Sequence, residues 1–207
     1  GTGQFGFALS YTMLFSVLAT FGIQRLLVRD ITRDSTHAWT CVWTASTVVL
    51  VLALTVCALV FGAIYLLRDD PIVRRAVVYA SLSTILIGSV QAPFEALLTA
   101  RERMGHVAVV YVVSGVLRVA SVYWVMTWQA TSAGVHAALA VANGIGLALC
   151  VALAVRVAGW ERPRVRLSLA FQQIRQSFPF FAAVVFSQIY FRSDVSILEW
   201  LAGSGAV

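Results

Sequence analysis

Apolar residues occur along the chain in six long blocks, and short polar breaks separate them. A helix crosses the ~30 Å hydrocarbon core of a membrane with about 20 residues, and each block is long enough to do so. A signal peptide would account for one such block at most. The predicted spans are Phe5–Leu26, Trp39–Leu67, Ile72–Ala100, Val107–Trp128, Val135–Ala158 and Phe178–Leu201. The pattern therefore predicts an all-α membrane protein, a polytopic bundle of about six transmembrane helices.

The composition agrees with this prediction. Of the 207 residues, 60% are hydrophobic and 12% are charged, and the mean hydropathy is +0.86. Soluble chains carry about 25% charged residues. Cys41, Cys57 and Cys150 stand singly within apolar stretches, so we interpret them as small buried side chains and expect no metal or disulfide there.

The basic residues, all of them arginine, predict the orientation in the membrane. Ten of the fifteen lie in or beside alternate breaks on one side, three lie in or beside the other breaks, and Arg118 and Arg192 lie deep inside spans. Basic residues concentrate in cytoplasmic loops, so we expect the Arg-rich side to face the cytoplasm. Because the arginines lie between spans and form no single soluble patch, they indicate topology and not nucleic-acid binding. Tryptophans near span ends favour the headgroup zone; these are Trp39, Trp43, Trp128, Trp160 and Trp200.

Two of the Arg-rich breaks give further predictions about local structure. The sequence IQRLLVRDITRD (residues 23–34) places Arg25, Arg29 and Arg33 four residues apart. This is either a short interfacial helix whose guanidinium groups reach anionic headgroups or an ordinary positive-inside loop. The longest break is basic and contains Pro163, and we interpret residues 161–173 as a cytoplasmic linker.

Polar side chains inside the spans are the candidates for function, because ionisable groups in a bilayer usually face a bundle interior or a wet cavity. Arg118 lies eleven residues after Val107 and shares a helical stripe with Tyr111, Ser114 and Ser121. Arg118, with Ser114 beside it, either lines a cavity that binds phosphate or forms an ion pair with a carboxylate on a neighbouring helix.

Two other spans carry such groups. In the sixth span, Gln188, Arg192 and Asp194 are further cavity candidates; Arg192 and Asp194 are two residues apart and cannot pair on one helix. In the third span, Glu95 follows Pro93 by two residues. Proline in a span commonly kinks it, so Pro93 and Glu95 mark either a hinge or a static kink.

Motifs for chemistry are absent from the sequence. It contains no phosphate-binding glycine loop, no Cys/His metal pattern and no Ser/His/Asp set typical of a hydrolase. We therefore expect a protein that is not an enzyme and that needs no cofactor and no metal.

Several segments resemble one family. They are GTGQFGFALSYTMLFSVLATFGIQRLLVRDITRD (residues 1–34), EALLTARERMGHVAVVYVVSGVLRV (95–119) and IRQSFPFFAAVVFSQIYFRSDVSILEWLAG (174–203). The chain resembles the O-antigen and polysaccharide flippases of the multidrug/oligosaccharidyl-lipid/polysaccharide exporter superfamily. The anchors are the glycine-rich opening, the Arg29 segment, the ARERMG loop and the helix with Pro179, Arg192 and Asp194.

The resemblance implies two six-helix bundles around a central cavity, with alternating access. It implies an undecaprenyl-diphosphate-linked oligosaccharide as substrate, moved to the outer leaflet of a bacterial or archaeal cytoplasmic membrane, with arginines on the diphosphate. Residues 1–160 would be five helices of the N-terminal bundle, residues 174–207 the first helix of the C-terminal bundle, and the chain a piece of a longer protein. The implied partners are the lipid-linked oligosaccharide, membrane lipids, glycosyltransferases and a glycan polymerase, with no nucleic acid.

Two alternative functions predict different sequence features. A cation-coupled multidrug or metabolite exporter of the same superfamily would carry an acidic cavity, whereas Arg118 and Arg192 favour an anionic substrate. A membrane-embedded polysaccharide polymerase would carry a large external loop or a soluble domain, and the sequence shows neither.

Overall fold

The computed structural model describes residues 12, 15–67, 71–128 and 132–202; the side chains of residues 67, 72, 73, 128, 132 and 188–202 are not among those described. Every element in these ranges is helical. A helical segment covers residues 15–20. The elements that follow are α1 (Ile23–Arg33), α2 (Ala38–Leu67), α3 (Pro71–Ser81), a π-helical segment (Leu82–Ile87), α4 (Gly88–Ala100), α5 (Met104–Trp128), α6 (Ser132–Ala158) and α7 (Leu167–Ala202).

Four stretches of the described residues are long and apolar enough to cross a membrane. They are Ala38–Leu66, Arg74–Ala100, Met104–Thr127 and Ala133–Ala158. They match the second to fifth predicted spans and confirm an all-α membrane protein. The first predicted span lies partly outside the described residues, and the side chains of most of the sixth do as well.

The first predicted span ends earlier than its hydropathy indicates. Its helix stops at Phe21 and Gly22, whose φ angles of 46° and 67° are both left-handed. A Cβ atom on Gly22 would lie 2.9 Å from Phe180 Cβ and from the backbone nitrogen of Phe181, and the ring centroids of Phe21 and Phe181 are 4.4 Å apart. Helix α7 therefore crosses directly over this turn, and the predicted end of the span at Leu26 is wrong.

Helix α1 is short and amphipathic, so of the two interpretations of this segment the structure shows the helix. Its buried face consists of Ile23, Leu26, Leu27 and Ile31. Its exposed face carries Arg25, Arg29 and Arg33. Apolar residues three and four positions apart form the stripe that packs on the bundle, mainly against α4 and α7. Contact of the three arginines with lipid headgroups stays a prediction.

The breaks rich in arginine meet at one end of the bundle. Ile31 of α1, Leu97 of α4 and Ala154 of α6 belong to the same buried core there. The break after α6 covers residues 159–166, because α7 begins at Leu167. The predicted linker, residues 161–173, is therefore helical in its second half.

An aromatic cluster covers this end of the core. Trp39 is only 2% exposed, and its indole N–H donates to the carbonyl oxygen of Ala158 over 3.4 Å. The ring of Trp43 lies 5.8 Å from the rings of both Phe94 and Trp160. Trp39 is buried because the break after α6 folds Trp160 over it, with ring centroids 6.3 Å apart. A position of Trp39 at headgroup depth stays a prediction.

Candidate functional site

Polar side chains gather in two clusters along α4, α5 and α6. The Glu95 cluster consists of Glu95, Gln24, Gln91 and Tyr111. The Arg118 cluster consists of Arg118, Asn143 and Ser83. Both clusters draw residues from at least three helical elements, so each exists only in the folded bundle.

Glu95 is buried, at 6% exposure, and accepts three hydrogen bonds. Gln91 Nε2 donates to Oε1 over 2.6 Å. The Tyr111 hydroxyl and Gln24 Nε2 donate to Oε2 over 2.9 Å and 3.4 Å. The donors are uncharged and come from α1, α4 and α5. One carboxylate therefore links three elements inside the bundle through neutral groups alone.

Pro93 lies inside α4, six residues after the end of the π-helical segment. Such segments interrupt long helices frequently at functional sites. The structure brings Glu95 into its hydrogen-bonded cluster and leaves Pro93 in the continuous helix. Movement about this point stays a prediction.

Arg118 is held by an amide from the neighbouring helix. Arg118 Nε donates to Asn143 Oδ1 over 2.7 Å. Asn143 Nδ2 in turn donates to Ser83 Oγ over 2.7 Å and to the Ser83 carbonyl oxygen over 3.3 Å. Ser83 is buried in the π-helical segment. The chain of bonds fixes the amide orientation, and the amide fixes the guanidinium.

The guanidinium keeps donors for another group. Arg118 is exposed, and among the described residues its partner is this neutral amide and not a carboxylate. Its two terminal nitrogens make no hydrogen bond within that part of the chain. Such a fork matches the oxygens of a phosphate. The predicted ion pair with a described carboxylate is therefore not present.

An open trough with a volume of about 470 Å³ adjoins Arg118 on the surface of α5 and α6. Its other lining residues are Val119, Val122, Tyr123, Met126 and Leu139. A cation beside an apolar surface suits an amphiphilic anion, with its charged group on the arginine and its hydrocarbon part along the trough.

Ser114 lies one turn before Arg118 but faces different surroundings. It is buried, and a Cβ atom on Gly146 of α6 would overlap its hydroxyl oxygen. The structure thus places Ser114 in the tight contact between α5 and α6, away from the exposed guanidinium. A role in substrate binding for Ser114 stays a prediction.

We expect Gly146→Ala to be less stable than Gly144→Ala by about 0.5–1.5 kcal/mol, because the added methyl group displaces the Ser114 hydroxyl from its rotamer. This lowers the thermal midpoint by about 2–4 °C per kcal/mol, measured in detergent by the loss of monodisperse protein on heating. Gly144→Ala is the matched control, because no other atom lies within 4 Å of the position that its methyl group would take, and both changes gain the same helix propensity.

Adding Ser114→Gly to Gly146→Ala should recover most of the loss. If Gly146→Ala and Gly144→Ala have the same midpoint, the close approach of α5 and α6 at Gly146 is wrong.

Three predicted cavity residues, Gln188, Arg192 and Asp194, lie on α7 where the side chains are outside those described. Their roles stay predictions. Sequence reasoning missed Gln24, Gln91, Asn143 and Ser83. The available signals were an amide in the middle of an apolar span, at Asn143, and the four-residue spacing of Gln91 and Glu95.

Among the described residues, no group of His, Cys, Asp and Glu side chains is placed to hold a metal ion.

Comparison with known proteins gives one family. No curated protein and no solved structure matches the chain. A family model described as polysaccharide biosynthesis protein matches residues 1–207, and that range contains both polar clusters. The chain therefore belongs to the polysaccharide biosynthesis protein family, as an all-α membrane protein with a role in polysaccharide synthesis or export.

Proposed function

We propose that this protein is a flippase that moves an undecaprenyl-diphosphate-linked oligosaccharide from the cytoplasmic to the outer leaflet by alternating access. It acts in polysaccharide or O-antigen biosynthesis in a bacterial or archaeal cytoplasmic membrane. The protein binds and moves its substrate and makes or breaks no covalent bond. Glycosyltransferases supply the substrate, and a glycan polymerase consumes it on the other side.

The observation that carries this proposal is the exposed guanidinium of Arg118 in the middle of a span. Arg118 lies fourteen residues after the start of the 25-residue helix α5, which is about 21 Å along a helix of about 37 Å. An arginine at the centre of a transmembrane helix costs about 2.5–3.5 kcal/mol on insertion scales. Its one bond to a neutral amide offsets only part of that cost. A diphosphate would supply the missing negative charge and the acceptors for both terminal nitrogens.

The trough beside Arg118 supports a lipid-linked substrate. Val119, Val122, Met126 and Leu139 give it apolar walls, which suit a polyprenyl chain better than a free sugar. The open side of the trough lets such a chain stay in the bilayer while the diphosphate contacts the arginine.

The second candidate function is a cation-coupled exporter, in which a buried carboxylate such as Glu95 would bind the coupling cation. A coupling carboxylate would be expected to reach the cavity that carries the transported compound. Glu95 is instead buried and accepts hydrogen bonds from three donors, and it does not line the trough at Arg118. We therefore rank this function second.

The test is flipping by the purified full-length protein in liposomes that contain a fluorescent lipid-diphosphate oligosaccharide. The fraction of label that an external glycosidase reaches should rise with time, and it should stay constant in protein-free vesicles. Equal rates in both would overturn the proposal. Export of a cationic dye by the same vesicles, or elongation of the glycan, would instead support the exporter or the polymerase.

A further inference from the structure

The first three turns of α7, residues 167–178, form a segment that we call the α7 foot. Helix α7 has 36 residues and is about 54 Å long at 1.5 Å per residue. The hydrocarbon core is ~30 Å thick. The helix is therefore longer than one upright span, and its first turns need a different environment from its last.

Two hydrogen bonds hold the foot against the ends of α1 and α2, and a third holds the residue just before the foot. The backbone N–H of Arg166 donates to Thr44 Oγ1 over 3.3 Å. Gln173 Nε2 donates to the carbonyl oxygen of Cys41 over 3.2 Å, and Arg29 Nη2 donates to Gln176 Oε1 over 3.1 Å. Thr44 and Cys41 lie in the first two turns of a predicted span. The foot therefore lies beside the first turns of α2 and does not project away from the bundle.

The foot buries polar side chains and exposes apolar ones, which is the opposite of a helix on a surface in water. Its polar residues Gln173 and Ser177 are buried against the bundle. Its outward stripe consists of Leu167, Phe171, Ile174 and Phe178, which are 37–84% exposed. The spacing of four, three and four residues places these side chains on one face. Such a face left in water would be unfavourable, so its surroundings are apolar.

The edge of the stripe is basic. Arg175 is exposed on the foot, and Arg164 and Arg166 are exposed just before it. Arg29 of α1, bonded to the foot, continues the positive surface. Its carboxylate neighbour is Asp30, at 2.9 Å. An apolar stripe with arginines along its edge is the arrangement of helices that lie in the boundary between headgroups and acyl chains.

We propose that the α7 foot is an interfacial anchor that binds anionic phospholipid. Its apolar stripe inserts among the acyl chains of the leaflet at the Arg-rich end. Arg164, Arg166 and Arg175 bind the phosphate groups of that leaflet. The break before the foot is thereby fixed at the membrane surface, whatever the protein transports.

The first experiment measures what surrounds the stripe. Nitroxide labels are attached at Phe171→Cys or Gln172→Cys in the full-length protein, with the three native cysteines changed to alanine, in phosphatidylcholine–phosphatidylglycerol nanodiscs. Gln172 is exposed and lies about 100° from Phe171 around the helix. The label at 171 should be more accessible to oxygen, which enters lipid, than to a water-soluble nickel complex. The label at 172 should be more accessible to the nickel complex than to oxygen.

Two results at position 171 would overturn the proposal. A higher accessibility to nickel would place the stripe in water. Low accessibility to both reagents would place it against another protein surface.

The second experiment leaves the native cysteines in place. Native mass spectrometry of the full-length protein compares binding of phosphatidylglycerol with that of phosphatidylcholine. Arg175→Gln should weaken the preference for phosphatidylglycerol about fivefold, the effect of one basic residue near an anionic surface. Arg75→Gln is the control, because Arg75 is also exposed and lies on α3, near the opposite membrane surface. An unchanged preference in Arg175→Gln, or equal losses in both variants, would overturn the proposal.

Discussion

Replacing Arg118 with alanine is expected to abolish glycan export and to leave the protein inserted in the membrane. The change removes the terminal nitrogens that no described residue engages, and loss of one partner of a desolvated charge pair costs about 2–5 kcal/mol. We expect export to fall by about 100-fold, since 1.4 kcal/mol corresponds to a factor of ten. Membrane insertion should improve, because a charge leaves the middle of a span. Complementation of a strain that lacks the gene, with accumulated lipid-linked oligosaccharide as readout, measures export. Membrane fractionation of the same cells measures insertion.

The conservative variant and the control sharpen this result. Arg118→Lys keeps the charge but loses the planar fork, so its export should be intermediate. Arg75→Ala changes an exposed arginine on α3 and should export normally. On the sequence prediction, Arg192→Ala should also lose export. Normal export in both Arg118→Ala and Arg192→Ala would refute the idea of a cationic cavity.

Replacing Glu95 with leucine is expected to destabilise the fold. The change leaves the amides of Gln24 and Gln91 and the hydroxyl of Tyr111 without their acceptor. Gln24 and Gln91 are half-buried and Tyr111 is exposed, so each loses less than a fully buried group would, and the variant should lose about 1–3 kcal/mol in total. At about 2–4 °C per kcal/mol, the thermal midpoint in detergent should fall by roughly 2–12 °C.

Glu95→Gln keeps one acceptor oxygen and should lose about half as much stability. The matched control is Glu161→Leu, because Glu161 is exposed in the break after α6, and it should leave the midpoint nearly unchanged. A Glu95→Leu protein as stable as the wild type would show that the cluster does not support the bundle. This measurement is independent of transport, so it stands even if the proposed substrate is wrong.

The polar stripe on α5 shows how far sequence reasoning reached into the site. Helical periodicity placed Tyr111, Ser114 and Arg118 on one face, because residues three and four apart are neighbours on any helix. The structure gives each of them a different partner: Tyr111 donates to Glu95, Ser114 packs against Gly146, and Arg118 donates to Asn143. Which helix lies opposite is a long-range property, and periodicity carries no information on it.

The sequence by itself determined the class, the four spans that the structure confirms, and the unequal distribution of arginine between the breaks. Hydropathy succeeds there because transfer of a helix into lipid depends on the summed composition of about 20 consecutive residues. Only the tertiary structure decided the end of the first span at Phe21 and Gly22, where α7 crosses the backbone. It also decided the partners of Glu95 and Arg118 and the outward apolar face of the α7 foot. These features depend on which surfaces meet, and packing between residues that are distant in the chain settles that choice.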